Sequence, residues 1–491
     1  MNRLARMMAL SLALLCLFTI GAGAAVARLM PHRLSLFELP AISGHGVARP
    51  GKVLHPSTGA PSTTSSAGVA TVAGVTARVS RVVTSGALGA HVGALVTDLS
   101  SGQSLYQQNA MTGFTPASTT KIATAVAALE MLGPQARFST RVMLGRGAKA
   151  GSGHRARIVL VGGGDPTLAV RRYPAGDYPQ PATLSALAAA TAKALRAKGI
   201  SSVSVSYDGS MFGGPMVARG WKKIGEPGNY ISTGNFAPIA GLEVDQGRLT
   251  ARGTPEDSDD AGNYRPRSLT PSRDAADAFV MLLRQDGITV HGKPSGAPTP
   301  RSRTPLATVQ SPALAAIVQQ MLTESNNVIA DTLARQVAVA TGRPGTFAGA
   351  AAAVTAAAAK LNVHGLHLFD GSGLSPLDRI SPRALVGLVA VAAKSKARLR
   401  PVITGMPVAG FSGTLGPGSF FGPFGKAGLG MVRAKTGNLN HVATMAGIAL
   451  TAHGQLLAFA FMGNGISARL GAQPESTLAQ LATALADCGC G

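Results

Sequence analysis

Apolar and polar positions change register several times along the chain, and each change marks an element. His91–Asp98 (HVGALVTD) is a nearly continuous apolar run of strand length. Ser100-Ser101-Gly102 is a turn and Gln103–Gln108 returns, which predicts a β-hairpin. From Ser118 the period lengthens to that of a helix, with Ile122, Val126 and Leu129 on one face and Gly133-Pro134 as the stop. Residues 151–304 carry short strand signals at Ile158–Val161 and Val203–Tyr207, many Gly and Pro turns, and an Ala-rich helix over Leu184–Lys198. A further helix is predicted over Pro312–Val339, with Ser325-Asn326-Asn327 inside it, and Ala350–Lys360 is helical by propensity. Strands at Met431–Lys435, Ala443–Thr451 and Gln455–Met462 follow, the last two joined across Ala452-His453-Gly454, and a helix over Ser476–Leu485 closes the chain. No internal repeat interrupts this order. It is that of an α/β (α+β) protein, a central antiparallel sheet flanked by helices.

The first eighty residues follow a different pattern. Arg3 and Arg6 precede Met7–Ala27, which has no charged residue, and Arg28 closes the run. At helical rise such a run crosses a hydrocarbon core of about 30 Å. Gly21, Gly23, Ala24, Ala25 and Ala27 also supply the small residues of a cleavage site. Residues 1–30 are therefore expected to direct export, as a signal peptide or as a membrane anchor. Leu15 stands before Cys16 where lipid attachment needs a small residue, so lipidation is not expected. Residues 31–78 are rich in Pro, Ser, Thr and Gly. The stretch HPSTGAPSTTSSAG (His55–Gly68) holds too little apolar surface to offset its ordering entropy, and the segment is expected to be a disordered linker. The body then divides into 79–150, a Gly/Pro-rich inserted block over 151–304, and 305–491.

Composition narrows the partners. A chain of 491 residues, 46% hydrophobic and 14% charged, has length for two or three domains with a sizeable core. Its 45 basic and 22 acidic residues give a net charge of +23, which suits polyanionic surroundings. Aromatics are 4% of the chain, with no cluster to stack bases, so an anionic wall or lipid surface is expected and nucleic acid is not. Three cysteines exclude a disulfide scaffold and a thiolate-rich zinc module, and Cys488 and Cys490 read as a terminal tail. His364 and His367 have no third ligand beside them. The glycines before Asp165 lack the G-K-[ST] of a phosphate loop, and no G-x-S-x-G elbow occurs. No cofactor or metal is expected.

Three short motifs carry chemistry. Ser118-Thr119-Thr120-Lys121 places a hydroxyl and an amine at i and i+3, on one helix face. Serine needs a base to become a nucleophile, and lysine serves as one when burial or a neighbouring cation lowers its pKa. Ser325-Asn326-Asn327 supplies a hydroxyl and a carboxamide two residues apart, for proton relay and amide binding. Lys435-Thr436-Gly437, at a strand end, supplies a cation for a carboxylate and for depressing Lys121, a hydroxyl donor, and a position where a substrate backbone lies close. Each motif alone is a weak signal, K-T-G being the scarcer, and the case rests on their order, placement and context.

With this order of S-x-x-K, S-x-N and K-T-G, the chain resembles the penicillin-binding serine DD-peptidases, and more narrowly the class C low-molecular-mass D-alanyl-D-alanine carboxypeptidase/endopeptidase group. Gly162-Gly163-Gly164-Asp165-Pro166-Thr167-Leu168, Asp370-Gly371-Ser372-Gly373-Leu374-Ser375, Met406–Gly410 with Gly413-Thr414-Leu415, and the long insert between the first two motifs carry the narrower match. The resemblance spans roughly residues 80 to 485. It implies a β-lactamase/DD-peptidase-like domain with a large inserted domain. It further implies that Ser118 attacks between two D-alanines, Lys121 is the general base, and Ser325 and Asn327 assist. Lys435 and Thr436 hold the terminal carboxylate, and the N–H groups of Ser118 and Asn438 form the oxyanion hole. Asp165 binds the amine end of the stem-peptide side chain. The implied partners are peptidoglycan D-Ala-D-Ala peptides and β-lactams in the cell envelope, with membrane contact only through the N-terminal segment. The chain departs from the group at Pro376, where an arginine is usual and the nearest is Arg379, and at Ser412, where an aspartate is usual. Two alternatives stand beside this one. They are a β-lactamase or D-amino-acid esterase on the same scaffold, and a non-catalytic wall-binding protein, against which the intact motifs speak.

Overall fold

A computed structural model describes residues 69–145, 156–249, 265–300, 304–421, 426–467 and 473–489. In chain order the elements are α1 (Val72–Val83), β1 (His91–Asp98), β2 (Ser104–Gln108), α2 (Thr120–Leu132), β3 (Ser139–Leu144), β4 (Ala156–Val161), α3 (Leu184–Arg196), β5 (Ser202–Asp208), α4 (Pro271–Gln285), β6 (Thr289–Val290), β7 (Ser295–Gly296), β8 (Ala307–Gln310), α5 (Leu314–Thr323), α6 (Asn327–Ala340), α7 (Phe347–Lys360), β9 (Leu366–His367), β10 (Arg379–Ile380), α8 (Pro382–Lys394), α9 (Arg400–Gly405), β11 (Val432–Leu439), β12 (Val442–Leu450), β13 (Leu456–Asn464) and α10 (Pro474–Ala486).

The central sheet has the antiparallel order β11-β12-β13-β1-β2. Its inner strands are apolar on both faces because both are covered. Phe459 and Phe461 of β13 point to a core shared with α1 and α10. The alternating Ala458, Ala460 and Met462 point to a second core built on α2, α5, α6, α7 and α8. The small residues on that face let α8 lie close against β13 and β1. Burial on two sides of α2 leaves its first turn inside the protein, with Lys121 among the apolar positions.

The inserted block folds around its own core, in which Ile158, Leu160, Val203 and Val205 meet Leu187, Leu195, Phe279 and Leu283 of α3 and α4. Its sheet has the order β6-β5-β4-β3-β8, with β7 also pairing β5. β3 and β8 lie outside residues 151–304, so the sheet is wider than the sequence boundaries of the insert. An aromatic cluster of Phe212, Trp221, Phe236 and Phe347 with Leu374 ties this lobe to the sheet-bearing one.

Three local expectations are revised. Helix α1 takes in residues assigned to the linker, because Ala70, Val75, Val79 and Val83 are buried against the sheet. The helix predicted over Pro312–Val339 is two helices, broken at Glu324–Asn326, where Ser325 adopts φ +55°. Asn326 caps the second, its Oδ1 accepting from Ile329 N–H at 3.0 Å. Cys488 is no exposed tail residue: it is buried and disulfide-bonded. The expected export segment and residues 31–68 lie outside the described residues.

Candidate active site

Ser118 sits in a single 3₁₀ turn, Ala117–Thr119, that leads into α2. Lys121 follows one turn later and is 0% exposed. Its Nζ lies 2.9 Å from Ser118 Oγ, 2.8 Å from Asn327 Oδ1 and 2.8 Å from the Ser372 carbonyl oxygen. The last two partners only accept. A neutral amine has two N–H groups and one lone pair, so donating to both carbonyls turns the lone pair on the Ser118 hydroxyl. Burial brings the Lys121 pKa down to about 7, against the pull of the Asp331 and Asp370 charges, which favour the ammonium. Of the two causes the sequence left open, burial and a neighbouring cation, burial is the larger.

The S-x-N motif enters from the break between α5 and α6. Asn327 is the first residue of α6, and its Nδ2 donates to the Asn235 carbonyl of the inserted lobe at 3.4 Å. Ser325 stands at the break, half-buried; among the described residues no hydrogen bond joins its hydroxyl to Ser118 or Lys121.

The K-T-G motif lies within β11, the edge strand of the central sheet. Lys435 is buried and its Nζ donates to the Thr436 carbonyl at 2.8 Å. Thr436 Oγ1 is 3.0 Å from Thr414 Oγ1. Gly437 has no room for a side chain: a Cβ there would lie 2.8 Å from both Pro116 O and Ser118 N. Thr444 of β12 donates to the same Pro116 carbonyl at 2.7 Å, holding the strand against the Ser118 turn. Farther back, Ala409 N–H donates to Val432 O and Ala434 N–H to Pro407 O, so these residues turn their backbone groups away from β12. Strand alternation directs the N–H groups of Thr436 and the exposed Asn438 to that same outer edge. Ser118, Lys121 and Asn327 thus meet at hydrogen-bond distance, and Gly437 lies against the Ser118 turn with Thr436 and Asn438 flanking it on β11.

Asp165 lies in the Gly-rich turn that follows β4. It is 4% exposed, and its Oδ1 accepts from Thr167 N–H at 2.8 Å and Thr167 Oγ1 at 2.7 Å. Burial pushes its pKa up to about 6. The adjoining Gly163 and Gly164 carbonyls accept from Gln336, more than two turns along α6 from Asn327. The Oδ2 of Asp165 is buried and has no hydrogen-bond partner among the described residues. Arg379 is held by local acceptors, Thr115 Oγ1 and the carbonyls of Pro376 and Asp378.

Sequence reasoning missed the buried acids beneath Lys121. Asp331 lies one turn along α6 from Asn327, a spacing that puts both on one face. Burial and then the Asp370 charge push its pKa up to about 7. Burial and the same neighbour hold the Asp378 carboxyl well above its usual range. Among the described residues no group of three or more His, Cys, Asp or Glu side chains is placed to hold a metal ion. His367 instead packs edge-on to Phe369, ring centroids 5.0 Å apart.

The chain matches the family model described as D-Ala-D-Ala carboxypeptidase 3 (S13) over residues 75–264 and 243–485. A carboxypeptidase of Mycobacterium tuberculosis is 36% identical over 426 residues, covering 85% of each chain. Carboxypeptidase DacB of Mycolicibacterium smegmatis is 35% identical over 402 residues, covering 81% of this chain and 80% of that one. In fold, the crystal structure of penicillin binding protein 4 from Haemophilus influenzae matches with a TM-score of 0.66 at 23% identity, over 84% of this chain and 97% of that chain.

Proposed function

Because the chain belongs to the D-Ala-D-Ala carboxypeptidase 3 (S13) family of penicillin-binding hydrolases, we propose that its reaction runs through an acyl-enzyme on Ser118. Ser118 Oγ attacks the carbonyl carbon between two D-alanines as its proton passes to the lone pair of Lys121 Nζ. The carbonyl electron pair moves onto oxygen, where the N–H groups of Ser118 and Asn438 receive it. Collapse breaks the C–N bond, and the departing D-alanine amine takes the proton back from Lys121. Water then opens the ester, with Lys121 again as base. Lys435 and Thr436 hold the terminal carboxylate, and Asn327 keeps the amine of Lys121 oriented. The observation that carries this reading is the three-way contact of Lys121 Nζ with Ser118, Asn327 and Ser372.

The substrates in this reading are D-Ala-D-Ala ends of peptidoglycan stem peptides, with D-Ala-linked cross-bridges as a second class. The open outer edge of β11 supports both, since an extended peptide can pair there. Export through the N-terminal segment is part of the same proposal. It rests on Arg3, Arg6 and the uncharged run Met7–Ala27; among the described residues no helix is long and apolar enough to cross a membrane.

Intact-mass analysis after incubation with a β-lactam, followed by peptide mapping, tests the reading. It expects one long-lived adduct on Ser118, absent in Ser118→Ala, and a loss of about 10⁶-fold in D-Ala release by that variant. An adduct elsewhere, or wild-type turnover by Ser118→Ala, overturns it. An adduct that forms and clears rapidly would point instead to a β-lactamase.

A further inference from the structure

One carboxylate ties down the loop beneath Lys121. Asp370 is fully buried. Its Oδ1 accepts from Gly373 N–H at 2.6 Å, and its Oδ2 from Ser375 N–H at 2.6 Å and Trp221 Nε1–H at 2.8 Å. The loop so pinned offers its carbonyls to α2: Ser372 O to Lys121 Nζ at 2.8 Å and Gly371 O to Thr124 Oγ1 at 2.7 Å. Gly371 N–H donates to Asp331 Oδ1 at 2.6 Å. Gly373, at φ +85°, lies so close to Ala117 that a Cβ would run into its carbonyl oxygen. Any shift of this loop therefore moves both the acceptor that orients Lys121 and the turn that carries Ser118.

The third donor comes from the other lobe. Trp221 is the single tryptophan, 7% exposed. Its ring is fixed edge-on by Tyr230, Phe236 and Phe347 at centroid distances of 5.3, 4.6 and 5.4 Å. A ring held on three sides aims its N–H at one place, and that place is Asp370.

We propose that Asp370 is a positioning residue for the Lys121 amine, and that Trp221, by donating to Asp370, couples the inserted lobe to the catalytic lysine. The proposal rests on the reading of Lys121 as general base. Two oxygens that each face N–H donors suit a carboxylate; an amide in its place turns its own N–H₂ toward one set of them. The charged groups that act on Lys121 are Asp331 from α6 and Asp370 from the loop, while Asp378 interacts with both carboxylates and Arg335 with Asp331. Removing Asp370 takes away a charge that holds the proton on Lys121, so the neutral amine persists to lower pH.

The test is acylation by the chromogenic cephalosporin nitrocefin, from about pH 5 to about pH 9, with the acylation step k2 separated from the dissociation constant K of the initial complex. Asp370→Asn is expected to lower k2 about 100-fold, leave K near the wild-type value, and move the acid limb of k2 to lower pH. Trp221→Phe keeps the ring packing and removes the donor; k2 is expected to fall about tenfold with K and the thermal midpoint nearly unchanged. Wild-type k2 in Trp221→Phe, or an unmoved acid limb in a folded Asp370→Asn, overturns the proposal. So does a loss confined to K and thermal stability. If Asp370→Asn does not fold, Trp221→Phe decides alone. A wild-type enzyme that nitrocefin never acylates on Ser118 would instead sink the reading of the active site.

Discussion

The side-chain oxygen of Asn327 lies 2.8 Å from the Nζ of Lys121, although the two residues are 206 positions apart in the chain. In the proposed mechanism this contact makes the start of α6 part of the base. Asn327→Asp keeps the acceptor and adds a negative charge to those of Asp331 and Asp370. A nearby carboxylate favours the ammonium, so the acid limb of acylation is expected to move upward from about pH 7. A rise of one unit lowers the rate on that limb about tenfold. Nitrocefin acylation against pH reads the shift, and an unmoved limb would show that Lys121 is not the titrating base.

Lys121→Arg separates charge from basicity. A guanidinium keeps its proton at any accessible pH, so it cannot accept one from Ser118. Acylation is expected to fall about 10³-fold. Lys435 and Thr436 are untouched, so the initial complex with a β-lactam should retain its affinity. Stopped-flow acylation kinetics distinguish the two effects.

Much of this site was legible in the sequence, for identifiable reasons. S-x-x-K works through neighbours on one helix turn, which spacing alone reveals. β12 and β13 are recognisable as long apolar runs between turns. The break at Ser325 was hidden because Leu314–Ala340 keeps helical periodicity without Gly or Pro, and only the S-N-N cluster, with Asn326 as a cap, marks it. Asp370 stood in a motif already singled out, but its effect on Lys121 depends on burial and on contacts between positions 121, 221 and 370, which no local pattern encodes. Asp165 was singled out by its Gly-rich motif, and only the fold shows that it is buried.

The stability of the protein should fall as pH rises through the neutral range. Glu243 is 2% exposed, neither carboxylate oxygen has a hydrogen-bond partner, and burial pushes its pKa up to about 8. Below the unfolded value near 4.5 both states hold the proton and nothing is lost. Between that value and about 8 the folded state binds one more proton than the unfolded state, so its advantage declines as pH rises. Asp331 and Asp165 act in the same direction up to about 7 and about 6. Lys121, whose pKa is lowered, acts oppositely only above about 7. Glu243→Gln removes the largest of these carboxyl contributions. Its thermal midpoint is expected to depend less on pH between about 5 and 8, and to exceed the wild-type midpoint at the upper end. Parallel midpoint curves for the two proteins would reject the assignment.

Gly437→Ala tests how closely β11 must approach the nucleophile. The new Cβ would lie 2.5 Å from Thr444 Oγ1 and 2.8 Å from both Pro116 O and Ser118 N. Thr444 is fixed by its bond to Pro116, and the other two atoms are backbone, so the strand itself must move away from the Ser118 turn. That displacement widens the gap between the Ser118 and Asn438 N–H groups, which in the proposed mechanism converge on one oxygen. A shift approaching 1 Å costs about 100-fold in rate, whereas crowding of this size destabilises by about 1–3 kcal/mol. The variant is therefore expected to fold, to melt several degrees below wild type, and to lose about two orders of magnitude in k2. Retained k2 alongside a lowered melting point would mean that the strand edge does not supply the oxyanion donor, and Asn438 would lose its place in the mechanism.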